Sequence, residues 1–168
     1  MEQITSRRNP IVAQFRQARG SAAPTGSTVL LEGPRLIAEA LGAGVRIDLA
    51  AVSTGTATTR RSAVVFDRLD PSITRLVRVS PTVMDALSPM STPSGLVALA
   101  TLESAGFEAA APAPRPLVIG LIAVQDPGNT GAVIRAIEAG GATGVVTVGG
   151  ADPYGWKALR GAMGSTFR

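Results

Sequence analysis

Residues Leu117 to Val124 form an almost unbroken apolar run, and a second run, Gly144 to Val148, follows it after one helical stretch. Apolar runs without polar alternation mark strands buried on both faces of a parallel sheet. Asn129 to Ala139 between them reads as a helix, and Tyr154 to Met163 after them as another. A β-loop-α-β-loop-α order admits few topologies, because parallel neighbours require right-handed crossovers. The C-terminal part of the chain is therefore expected to be an open parallel α/β unit, with its ligand site at the carboxyl ends of the strands.

Upstream, Gly and Pro punctuate a second set of elements. Asn9-Pro10 is a helix start, and Ile11, Val12, Phe15 and Ala18 give one apolar face with Arg16 and Arg19 off it. Strands are expected at Thr28 to Glu32, Ile47 to Ser53, Leu76 to Val79 and Gly95 to Thr101. Helices are expected from Gly33-Pro34 to Leu41, from Ser62 to Leu69 and from Pro81 to Leu87. From Glu103 to Pro116 the sequence turns to Ala and Pro with little periodicity, the composition of a semi-rigid linker. The expected division is a domain at 1–104, a linker at 105–116 and a second domain at 117–168.

Two absences narrow the chemistry. The chain has no Cys and no His, which removes thiol nucleophiles, thiolate metal sites, the Ser-His-Asp triad and imidazole bases. No metal site is expected. Catalysis must rest on Arg, Lys, Asp, Glu, Asn, Ser or Tyr. Of the 16 cations all but Lys157 are Arg, and the net charge is +4. Arg's planar fork of donors suits phosphate, which makes a nucleic-acid partner plausible, although G+C-rich coding also raises Arg. The first twenty residues lack a signal-peptide core and no apolar run approaches the ~20 residues of a membrane helix, so a cytoplasmic protein is the default expectation.

Chemistry is sought in two loops. After Val124 the chain reads Gln125-Asp126-Pro127-Gly128-Asn129-Thr130-Gly131 and continues to Arg135. Helix N-termini at this place in an α/β sheet aim unpaired N–H groups at ligands. Gly131 and Arg135, four residues apart, are read as one helix face, with Val133, Ala136 and Ile137 toward the sheet. An Arg there could hold a phosphate, a carboxylate or a developing oxyanion; it could equally be a solvated side chain on an ordinary capped turn. Neither GxGxxG nor GxxxxGK[ST] is present, which removes the dinucleotide and P-loop fingerprints. Farther on, Tyr154, Trp156 and Lys157 stand close to Arg160, Ser165 and Arg168. Aromatics among cations suit base stacking and phosphate contact, or else Trp156 anchors its helix and Phe167 begins a strand.

The block from Asp126 through Gly131 to Arg135, followed by Lys157 to Arg168, resembles the first two motifs of the SpoU-type RNA 2'-O-ribose methyltransferases of the SPOUT superfamily. Ile4 to Pro10, Leu31-Glu32-Gly33-Pro34-Arg35-Leu36 with Glu39-Ala40, and Thr92-Pro93-Ser94-Gly95 resemble the small α/β substrate-binding domain that precedes the catalytic domain in many of them. The resemblance implies a small α/β domain followed by the N-terminal half of a trefoil-knot parallel-sheet domain. It implies methyl transfer from S-adenosylmethionine to a ribose 2'-hydroxyl of RNA, most often ribosomal RNA, by a homodimer. Arg135 matches the family's catalytic Arg and Asn129 the Asn that shapes the site. Arg160, Ser165 and Arg168 would lie near the substrate with Lys157. By charge alone, Arg7, Arg8, Arg16 and Arg19, offset only by Glu2 in the first twenty residues, are expected to meet a phosphate backbone. Ala162 stands where many members carry a small hydroxyl residue.

The family's third motif, which forms the knotted, cofactor-holding loop, has no counterpart before Arg168. On that ground the chain is expected to be an inactive, C-terminally truncated fragment without a cofactor site of its own. The rival expectations are a non-catalytic RNA-binding module and, for want of the Gly fingerprint only remotely, a nucleotide-dependent oxidoreductase of doubly wound fold.

Overall fold

The structure, a computed structural model, describes residues 1–20, 27–55, 60–102 and 115–168. Most of the expected linker lies outside the described residues. A mixed five-stranded sheet is built from β1 (Glu2–Ile4), β2 (Ser27–Glu32), β3 (Arg46–Ser53), β4 (Arg75–Val79) and β5 (Leu96–Leu102), in the order β1-β4-β3-β5-β2. β1, β4 and β3 run parallel, whereas β5 is antiparallel to both β3 and β2. The three-residue β1 escapes a periodicity reading because it is too short to alternate; its partner, β4, supplies its register.

Four helices cover this sheet: α1 (Pro10–Gly20), α2 (Pro34–Gly42), α3 (Arg60–Asp67) and α4 (Pro81–Leu87). α1 forms where expected, with Asn9 Oδ1 accepting from Ile11 N at 3.1 Å and Ile11, Val12 and Phe15 buried. These pack with Val77, Val79, Val83, Met84 and Leu87 in one core cluster. A second cluster joins Leu36, Ile37 and Ala40 of α2 and Val65 and Phe66 of α3 to Leu31, Ala50, Val52, Leu96 and Ala98 of the sheet. With both faces covered, this sheet carries most of the buried apolar surface among the described residues.

The C-terminal part holds β6 (Val118–Ile122), α5 (Pro127–Ala139), β7 (Gly144–Val148), α6 (Trp156–Ala162) and a 3-10 turn at Ser165–Phe167. β6 and β7 pair in parallel as expected. Burial on both faces is not what they show. Leu121 is buried with Ile134 and Ala162, but Ile122 is 75% and Val148 59% exposed, because α5 packs on one face of the pair. α6 packs elsewhere as well as on α5: Leu159 is fully buried in the α2–α3 cluster, and half-buried Trp156 packs against the α1–α4 cluster. Lying against β2, an outer strand of the five, α6 thus contributes to the cores on both of its faces. Among the described residues no helix is long and apolar enough to cross a membrane.

Candidate functional site

α5 starts two residues earlier than the sequence suggested. Asp126, not Asn129, is its N-cap: Asp126 Oδ1 accepts from Asn129 N at 2.7 Å, and Pro127 occupies the first helical position, where a missing N–H costs nothing. The side chain of Asn129 is left at the exposed first turn. Six residues further on, Arg135 lies about 9 Å along the axis and about 120° around it from Asn129, so the two do not share a face.

The expected helix faces need a second correction. Thr130, Gly131 and Ile134 point inward, while Val133 is 38% exposed and Ala136 is exposed. Gly131 leaves no room for a ligand above Arg135. A Cβ at Gly131 would lie 2.1 Å from Ala158 O and 2.7 Å from Ala162 N, so glycine here lets the backbones of α5 and α6 touch. Gly161 faces it, and Ala162 is fully buried at the same crossing.

That crossing brings Arg135 to the turn that follows α6. Met163 takes the left-handed conformation at φ 53° and Gly164 follows at φ 102°, so the chain reverses back along α5. Arg135 is exposed and its Nη1 donates to Met163 Sδ at 2.8 Å. One turn along α5, Glu138 receives Arg168, whose Nη1 also reaches Glu39 of α2 at 2.9 Å. Arg168, with the nearby hydroxyl of buried Ser165, holds the Glu138 carboxyl below its ordinary range. The same pair of carboxylates raises the affinity of Arg168 for its proton.

The sequence-expected residues therefore divide. Arg135, Ser165 and Arg168 come together, with Ser165 buried and Arg168 held between two carboxylates. Arg160 is exposed on α6, its Nη1 on Met90 Sδ at 2.9 Å. Lys157 Nζ stands 5.6 Å from the Trp156 ring centroid. Trp156, Tyr154 and Phe167 pack against the N-terminal cores, the anchoring alternative, and Phe167 lies in a 3-10 turn and not a strand. Burial and Asp152 push the Tyr154 hydroxyl up. Arg7, Arg8, Arg16 and Arg19 are all exposed on or just before α1. Sequence reasoning missed Glu138 and Glu39; the i, i+3 spacing of Glu138 from Arg135 was the available signal.

An α/β chain whose second sheet feeds an Arg-bearing helix, closely crossed by a second basic helix, has counterparts. Residues 116–168 match the profile of the SpoU rRNA Methylase family. It is 31% identical over 169 residues to the 23S rRNA (guanosine(2553)-2'-O)-methyltransferase of Bacillus subtilis, covering 99% of this chain and 63% of that protein. A crystal structure of an RNA 2'-O ribose methyltransferase is 32% identical with a TM-score of 0.78, covering 98% of this chain and 62% of that one. The SpoU methyltransferase AviRb from Streptomyces viridochromogenes, solved with the cofactor AdoMet, shares the fold at a TM-score of 0.81 and 21% identity, over 95% of this chain and 61% of that one. The chain thus spans about three fifths of these relatives.

Proposed function

We propose that this chain serves S-adenosylmethionine-dependent methylation of a ribose 2'-hydroxyl in RNA, ribosomal RNA by preference, with 1–102 recognising the RNA and 116–168 belonging to the catalytic domain of a homodimer. The observation that carries the reading is the seat of Arg135. Its guanidinium is exposed and rests on a thioether, a weak acceptor that a ribose or phosphate oxygen displaces readily. A guanidinium stays protonated at any working pH, so it does not take the hydroxyl proton. Its role is to orient the 2'-oxygen and to stabilise the alkoxide as charge develops there. Asn129 shapes the mouth of the same helix. The exposed Arg7, Arg8, Arg16 and Arg19 meet the phosphate backbone, joined by Lys157 and Arg160.

The cofactor is S-adenosylmethionine, which supplies an electrophilic methyl group when bound. The described residues at the carboxyl ends of β6 and β7 do not by themselves fit it. Ile122 and Val148 form an open apolar surface there, Asp126 is committed to capping α5, and Asp152 Oδ1 accepts from Tyr154 N at 2.8 Å. This surface also favours the second reading, an RNA-binding module without catalysis.

The two readings part in one set of measurements on the chain. Both expect binding to a 23S rRNA transcript that weakens steeply with salt, with Arg7→Ala and Arg8→Ala lowering the slope by roughly one per lost contact. Calorimetric binding of S-adenosylmethionine with transfer of a labelled methyl group to ribose supports the first, and RNA binding without cofactor binding selects the second. A chain that ignores the transcript at low salt overturns both.

A further inference from the structure

Glu32 ends β2 with 9% of its surface exposed, and its carboxylate accepts three hydrogen bonds. Oε2 receives Ser88 Oγ at 3.0 Å; Oε1 receives Ser94 N at 3.1 Å and Ser94 Oγ at 3.0 Å. Ser88 follows α4 and Ser94 precedes β5, so one buried carboxylate clasps both ends of the connection 88–95. Ser62 of α3 also donates to Ser94 O, at 3.0 Å. In the middle of that connection stands Met90, the seat of the Arg160 guanidinium. The charge of Arg160 acts on Glu32 in turn, opposing the upward push that burial gives its carboxyl. A withdrawn carboxylate is a costly way to close a loop unless the tie is rigid and satisfied, and here every link is made to the same short segment.

We propose that Glu32 is a positioning residue for Arg160: by clasping 88–95 at both ends it fixes Met90 beneath the guanidinium and holds Arg160 ready for an RNA phosphate. The inference rests on the RNA reading above. It makes the N-terminal sheet a determinant of how a C-terminal arginine is presented. A long side chain ordered before binding loses less freedom on contact, so the tie raises affinity without touching RNA itself.

The test is an anisotropy titration of the whole chain against a 23S rRNA transcript at several salt concentrations, for Glu32→Gln, Met90→Leu, Arg160→Ala and the doubles with Arg160→Ala. Glu32→Gln should weaken binding by about three- to tenfold and lower the salt slope by up to roughly one. Added to Arg160→Ala, it should cost nothing further, whereas a merely structural residue gives additive losses. Met90→Leu keeps the volume, so it folds even where Glu32→Gln does not, and it should show the same non-additivity at smaller size. In the free protein, the Nε–Hε resonance of Arg160 should move toward that of an unrestrained arginine in both variants. Additive losses, or an Arg160 resonance that stays in place, overturn the proposal. If the wild-type chain ignores the transcript, the RNA reading falls alone, and the Arg160 resonance still decides whether Glu32 positions it.

Discussion

The two sheets of this chain were built from similar strands to opposite ends. The N-terminal sheet is covered on both faces, and Phe15, Leu31, Ile37, Val77 and Leu96 are sealed within it. The β6–β7 pair buries little beyond Leu121, and beside it lie polar groups: Arg135 on Met163, and Arg168 on Glu138 one turn along the same helix. Stability is concentrated in one region and reactive groups in the other. α6 packs on both, and Tyr154, Phe167 and the Arg168–Glu39 pair add to the contact between them.

The comparison can be broken first by deletion in each sheet. Phe15→Ala should cost about 3–5 kcal/mol, the usual loss for a fully buried aromatic, while Val148→Thr should stay within about 0.5 kcal/mol. Equal shifts in urea midpoint would abolish the distinction. Next comes chemistry without stability. In a protein competent for turnover, Arg135→Ala should lower methyl transfer by about a hundredfold with an unchanged melt, and Arg135→Lys should recover little, since a point charge does not reproduce the fork. Near-normal transfer by the Ala variant would remove Arg135 from the mechanism.

Gly131→Ala sharpens the comparison, because it attacks the one close packing contact of the C-terminal part described above. The added methyl meets the backbone of α6, and overpacking of that kind costs about 1–3 kcal/mol. Amide exchange should accelerate across α5 while α1 and β4 keep their protection; uniform acceleration would show that the two parts unfold as one.

The smallest effects are electrostatic and opposite in sign. Burial holds the Glu32 carboxyl above its ordinary 4.5, so folding takes up a proton there. Its contribution to stability is complete below that value and fades as pH rises through the folded one. Glu138 is held below 4.5 by Arg168 and Ser165, so its contribution is present above 4.5 and lost as pH falls. Being exposed, the pair Glu138–Arg168 is screened, and the acid-side change should be slight. Melting curves of Glu32→Gln and Glu138→Gln between pH 3 and 8, a range set by these directions, should flatten on opposite sides of the profile.

What the sequence disclosed follows the same line of division. β3, α2, α4 and β5 lie within a residue or two of where Gly, Pro and apolar periodicity put them, since each buries a face set by its own residues. The strand order was not legible, because antiparallel pairing of β2 with β5 joins residues some seventy apart and leaves no local pattern. In α5 nearly every position is small or apolar, so the period alone did not fix which face turns inward; contact with α6 did. Trp156 was read as an anchor for its own helix, whereas its packing, like the burial of Leu159, comes from the N-terminal cores, with β2 more than a hundred residues upstream. Of the candidate site, the Arg residues were visible as types in a motif. Their partners Glu39, Met90 and Met163 were not, because those come together only in three dimensions.

The position of α6 against β2 has a consequence for how the chain is made. Synthesis delivers the five strands first, but the outer strand β2 lacks α6 until Trp156 and Leu159 emerge about 55 residues after β5, a delay on the order of 3–11 s at ordinary elongation rates. An exposed strand edge is a template for pairing with other chains. During that interval the nascent protein carries its greatest risk of aggregation, and a chaperone that engages the ribosome-bound chain would find β2 as its target.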